Sequence, residues 1–189
     1  MPMNETQATS TQRYFVESLR EINPSIIWAP FFINPAIALM DSYALKPFPC
    51  TVACENIVSA LLSANREITV ELDWLAETFP DSHRIFQTLQ REAIVEYAAV
   101  AVAFLVVTNV AQRTITEVTL RGDKADYFLE SRKYLLEISG TENAEQLTSR
   151  HRAKVHQVQA NPFGKDGYVF VCCFSNQCAR FSFHRFVNA

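Results

Sequence analysis

Glycine is scarce, with four residues among 189 against fourteen phenylalanines. No phosphate-binding glycine-rich loop, no G-x-S-x-G and no H-E-x-x-H occurs, so a nucleotide hydrolase, an esterase or a zincin finds no support. Basic charge is not in excess either. A net charge of -3 and a pI near 5.8 give no general attraction to nucleic acid and leave any such contact to local patches. The longest continuous apolar run, YAAVAVAFLVV from Tyr97 to Val107, falls well short of the roughly 20 residues that span a bilayer and reads as a buried helix. The opening stretch MPMNETQATSTQRYFVESLREINPS lacks the apolar core of a secretory signal, so a cytoplasmic chain with no membrane partner is expected. Five cysteines are an odd number, and reduced thiols are the default over a disulfide framework. Cys172, Cys173 and Cys178 with His184 lack the paired short spacings of a zinc site, and the CC of VFVCCFS reads as strand core. Cys50 and Cys54 are spaced i and i+4, with no histidine nearby in sequence.

What is present is enough apolar sequence for a core. Hydrophobic residues make up 49% and charged residues 20%, which excludes wholesale disorder. One compact mixed α/β domain is expected, divided into an N-terminal tail and helical or irregular extension over 1–82 and a core over 83–189. Residues 1–11 are polar and read as frayed. A short helix is expected over Thr11 to Glu21. The apolar stretch Ile26 to Met40 is interrupted by Pro30 and Pro35, so it either covers the core irregularly or presents a surface for a protein partner or a second copy. Helical spacing over 51–64 predicts a helix, and REITVELDW reads as a strand or the start of a helix. A long helix is predicted from an Asp81 or Ser82 N-cap to about Asn109. The strands TITEVTL, KADYFLE and RKYLLEISG follow as a meander, then a helix over Ala144 to Gln159. GYVFVCCFS and ARFSFHRFV form a last strand pair around SNQC. No internal repeat is present.

Within the meander, Lys124, Asp126 and Phe128 share one face of a strand, and Lys133, Leu135, Glu137 and Ser139 share one face of the next. An aspartate and a glutamate can therefore converge across neighbouring strands. Converging carboxylates suit a hard divalent cation such as Mg²⁺, which keeps several waters and acts in phosphodiester hydrolysis. The plain alternative is a pair of solvent-facing acids balanced by Lys124 and Lys133, contributing about 0–1 kcal/mol.

A helix with an acid, a meander bearing an aspartate and then a glutamate, a helix and further strands together resemble the PD-(D/E)XK superfamily of restriction-endonuclease-like nucleases, over about residues 83–187. The resemblance implies a mixed central sheet flanked by helices. It implies Asp126 and Glu137 as ligands of Mg²⁺ or Mn²⁺, with Glu96 a further acidic contributor. Glu96 otherwise marks the end of a polar stripe that includes Arg91 and Glu92. The chain departs from the family pattern at Ser139, where a lysine is expected. Some members supply that lysine from the following helix, where SRHRAKVHQVQ offers Lys154, with Arg150 and Gln157 on the same helical face. Arg150, Gln157 and Ser139 would then meet phosphate, although the Tyr that accompanies an accessory Gln in exonuclease-like branches is missing. That face is otherwise a solvated charged one. Two functions follow. One is a metal-dependent nuclease acting on DNA or RNA, with Lys154, Glu137 and Asp126 catalytic. The other is a silent nuclease-like scaffold that binds a protein partner.

Overall fold

The structure is a computed structural model that describes residues 10–22, 29–59, 62, 67–75, 82–119 and 125–187. Eight strands form one mixed sheet, in the order β1-β3-β2-β8-β7-β6-β5-β4. In chain order the elements are β1 Thr11–Phe15, α1 Leu19–Ile22, α2 Ile33–Asp41, β2 Phe48–Glu55, β3 Glu67–Asp73, α3 Ser82–Thr88 and α4 Arg91–Asn109. The strands β4 Ile115–Val118, β5 Tyr127–Leu129 and β6 Tyr134–Thr141 follow, then α5 Gln146–Gln159, β7 Gly167–Cys173 and β8 Cys178–His184. The mixed α/β class read from the sequence is the observed one.

Burial explains the layering. Strand β7 reads GYVFVCC and is buried along its whole length, as expected of a strand covered on both faces. Its Tyr168, Phe170 and Cys172 join the main core with α4 and α2, while Val169 and Val171 turn the other way against Val158 of α5. Helix α5 connects β6 to β7, which pair in parallel with Glu137 opposite Val169 and Ser139 opposite Val171. Helix α4 crosses β6 at Gly140, where a Cβ would stand 2.5 Å from the Val95 carbonyl oxygen, so only glycine permits this approach. Among the described residues α4 is the one helix long and apolar enough to cross a membrane, with a mean hydropathy of 1.6. Its packing against α2 and β6 makes it the central core helix.

Several sequence expectations are corrected. Residues 11–15 form strand β1, not the start of a helix over 11–21, because they pair in parallel with β3 from Thr11–Thr69 to Phe15–Asp73. The residual helix is Leu19–Ile22. Of the helix expected over 51–64, residues 51–55 belong instead to β2, whose Phe48, Cys50, Val52 and Cys54 all face the core, and residues 60–61 and 63–64 lie outside the described residues. An i, i+4 spacing fits a strand face as well as a helix face, and pairing with β3 and β8 decides between them. Residues 67–73 are the strand β3. The single long helix is two, since Gln90 adopts an extended conformation (φ -66°, ψ 146°) between α3 and α4. Asp81 lies outside the described residues. The extension over 1–82 therefore contributes three of the eight strands to the common sheet.

The proline-interrupted stretch also resolves. Pro35 is the third residue of α2, in the first turn, where its missing N–H deprives no helical bond. Phe32, Ile33 and Ala36 to Met40 are buried, so this part covers the core. Phe31, 66% exposed, is the exception, and residues 26–28 lie outside the described residues.

Candidate active site

The meander brings Asp126, the residue before β5, beside the middle of β6. Its backbone N–H donates to the Leu136 carbonyl at 3.2 Å, and its Oδ2 accepts from the Ile138 N–H at 2.7 Å. Glu137 is 2% exposed. Lys154, on α5 above the same face of β6, donates from Nζ to Glu137 Oε2 at 2.5 Å and lies 3.4 Å from Asp126 Oδ2. Strand alternation and the crossover helix thus bring together the three residues expected to be catalytic.

Electrostatics follow from burial. Desolvation, reinforced by the Asp126 charge, pushes the Glu137 carboxyl up to about 7 despite the opposing pull of Lys154. Burial alone would lower the Lys154 ammonium, but the Asp126 and Glu137 charges outweigh it and hold the group above its usual range. The plain alternative of two solvent-facing acids does not hold for Glu137. Lys133 is exposed and rests over the Tyr134 ring at 5.0 Å, and Lys124 lies outside the described residues.

One turn earlier on α5, Arg150 reaches the Ser139 end of β6. Its Nη1 donates to the Gly140 carbonyl at 3.0 Å, to Ser139 Oγ at 3.2 Å and to Glu96 Oε1 at 3.4 Å. Glu96 also accepts from Ser139 Oγ at 3.2 Å and from the Gly140 N–H at 3.0 Å. Glu96 is therefore committed to Arg150 and the end of β6 and does not join Asp126 and Glu137 as a third ligand. Among the described residues no group of three or more Asp, Glu, His or Cys is arranged to hold a metal ion. Gln157 shares the helical face but is exposed, and its side chain forms no hydrogen bond with a described residue.

The remaining donor set is two carboxylates. Asp126 Oδ1 and Glu137 Oε1 accept no hydrogen bond from a described residue. Two such oxygens fit Mg²⁺ or Mn²⁺, which bind through one or two carboxylates and complete their shell with water.

Two further groups escaped the sequence reading. Gln146, one turn before Arg150, accepts from Arg150 Nε at 3.1 Å and from Thr141 Oγ1 at 3.3 Å. Extending the Arg150–Lys154 face back by four residues would have found it. Beside it, Arg91 grips Glu142 with Nε–Oε2 at 2.7 Å and Nη2–Oε1 at 2.5 Å, and the Tyr43 hydroxyl donates to the same carboxylate. These groups border a cavity of about 330 Å³ between the starts of α4 and α5 and the end of β6. Elsewhere, His151 and His184 each hydrogen-bond Ser182 Oγ at 2.7 Å, and all five cysteines are free. His184 thus serves a strand hydroxyl.

Comparison of the chain with protein-family models, with curated proteins and with solved structures gave no match.

Proposed function

We propose that the protein is a divalent-metal-dependent nuclease that hydrolyses phosphodiester bonds of DNA or RNA in the cytoplasm. The observation that carries this reading is Glu137, a carboxylate 2% exposed that shares one lysine with Asp126. A buried charged cluster is seldom the most stable filling for a sheet, since apolar residues of similar volume often serve as well or better. Its presence favours chemistry. The order α4, the antiparallel meander β4–β5–β6, α5, and β7 parallel to β6 also supports the restriction-endonuclease-like reading.

Asp126 and Glu137 would hold Mg²⁺ or Mn²⁺, which when bound lowers the pKa of a water and neutralises phosphate charge. The chain's own residues supply the rest. Lys154 pairs with both carboxylates and would turn toward the attacking water or the phosphate with a cation in its place. Arg150, braced by Glu96 and Ser139, sets a positive charge at the strand position where the family pattern has lysine.

A silent scaffold is the second reading, favoured by the Lys154 ammonium standing between the carboxylates and by the lack of a third ligand. Thermal unfolding with and without Mn²⁺ or Mg²⁺, on wild type and Asp126→Ala, separates the two. At about 100 times its dissociation constant a ligand of the folded state adds about 2.7 kcal/mol, which raises Tm by roughly 5–10 °C at this size. The nuclease reading expects that rise in wild type and its loss in the variant. No rise in either at millimolar metal would leave the scaffold.

A further inference from the structure

The cavity beside the carboxylates has an unusual balance of charge and hydrogen-bonding capacity. Its walls carry two arginines, Arg91 and Arg150, against three glutamates, Glu92, Glu96 and Glu142. Both arginines are already bonded to carboxylates, Arg91 to Glu142 and Arg150 to Glu96. A free anion therefore finds no net attraction there. Donors are nonetheless in surplus. Gln146 Oε1 accepts from both Thr141 and Arg150, which fixes the amide and leaves its NH₂ without a described partner. Asn143 Oδ1 accepts from the Glu145 N–H at 2.9 Å, with the same result for its own NH₂. Arg91 Nη1 and Arg150 Nη2 likewise bond no described residue. Only the exposed Glu92 offers an uncommitted carboxylate.

Such a wall suits an uncharged, flat group rich in oxo and ring-nitrogen acceptors, with an N–H for Glu92. At about 330 Å³ the cavity is at the small end of ligand sites. Arg150 and Glu96 belong both to this wall and to the bonds around Ser139, two residues along β6 from Glu137. A ligand in the cavity therefore touches side chains bonded two residues along β6 from Glu137. We propose, building on the nuclease reading above, that the cavity receives the unstacked base of the nucleotide next to the scissile phosphodiester and prefers guanine. Guanine offers O6 and N7 to N–H donors and returns N–H groups of its own, whereas adenine has no oxo acceptor.

The test is fluorescence anisotropy in EDTA with labelled single-stranded thymine hexanucleotides carrying one central guanine or adenine. Wild type is expected to bind the guanine oligonucleotide about tenfold more tightly, the equivalent of about 1.4 kcal/mol. Gln146→Glu keeps both acceptor bonds to Thr141 and Arg150 but loses the N–H donors, and is expected to erase the preference. Equal binding of the two oligonucleotides, a preference that survives Gln146→Glu, no binding at millimolar protein, or displacement by millimolar inorganic phosphate would each overturn the assignment. Because EDTA removes metal, the outcomes separate. Base preference without the metal-dependent rise in Tm keeps the cavity and removes the nuclease. The rise without base preference does the reverse.

Discussion

Lys154 is shared by two carboxylates, so its removal exposes what burying Glu137 costs. In Lys154→Met, Glu137 is left buried without a counter-charge, and breaking such a pair costs about 3 kcal/mol or more. The loss should be largest above pH 7 and shrink below it, where Glu137 takes up a proton, and urea unfolding at pH 8 and pH 5.5 reads the difference. Glu137 itself has its folded value raised from 4.5 to about 7. Between those limits the folded state binds more protons than the unfolded one, so this group's contribution is complete below 4.5 and is lost as pH rises through 7. Glu137→Gln should flatten that decline. The convergence of Asp126 and Glu137 was legible in sequence because strand alternation is a local rule, whereas Lys154 entered only through the family resemblance. The engagement of Glu96 with Arg150 was not legible, because it depends on α4 crossing β6, a contact between distant parts of the chain.

At the scale of elements, that crossing rests on one missing side chain. A Cβ on Gly140 would meet the Val95 carbonyl oxygen at 2.5 Å and Ala99 Cβ at 3.0 Å, and a helix backbone cannot step aside as a flexible side chain could. Gly140→Ala should force α4 and β6 apart, at about 1–3 kcal/mol, seen as a lower urea midpoint. It should also pull Glu96 from the Gly140 N–H and slacken Arg150, so oligonucleotide binding weakens even where the variant stays folded. The elements misread from sequence fail for a common reason. Thr11 to Phe15 and Phe48 to Glu55 carry spacings that suit a helix face or a strand face, and only the partners β3 and β8 decide. By contrast α5, β7 and β8 were legible, because their apolar runs or polar faces fit one structure.

Over the whole molecule, pH stability is a contest between two groups on the α5 face of the sheet, Glu137 of β6 and His151, which bonds Ser182 of β8. Burial, followed by the charges of Arg180 and His184, holds the His151 imidazole down at about 4, with Glu55 opposing. His184 is lowered by burial as well. As pH falls from 6.5 toward 4 the unfolded chain gains protons that the folded His151 refuses, so its stability contribution, complete above 6.5, is lost across that window. His151→Gln should flatten the acid limb of a Tm-against-pH curve that Glu137→Gln would steepen. Integrity also depends on the first strands. A chain starting at residue 83 lacks β1, β2, β3 and α2, leaving one side of β8 unpaired and the apolar surface of α4 bare. It should show no cooperative thermal transition by circular dichroism.

The parallel seam between β2 and β8 has a further meaning for how the protein is made. A ribosome releases β2 and β3 long before β8 exists, and until then the inner edge of β2 faces the crowded cell without a partner. The two halves of the sheet become continuous only once the C-terminal strand exists, since β8 pairs with β7 on one side and β2 on the other. Slowing elongation just ahead of β8 would lengthen that vulnerable interval and lower the yield of native protein without altering a single residue.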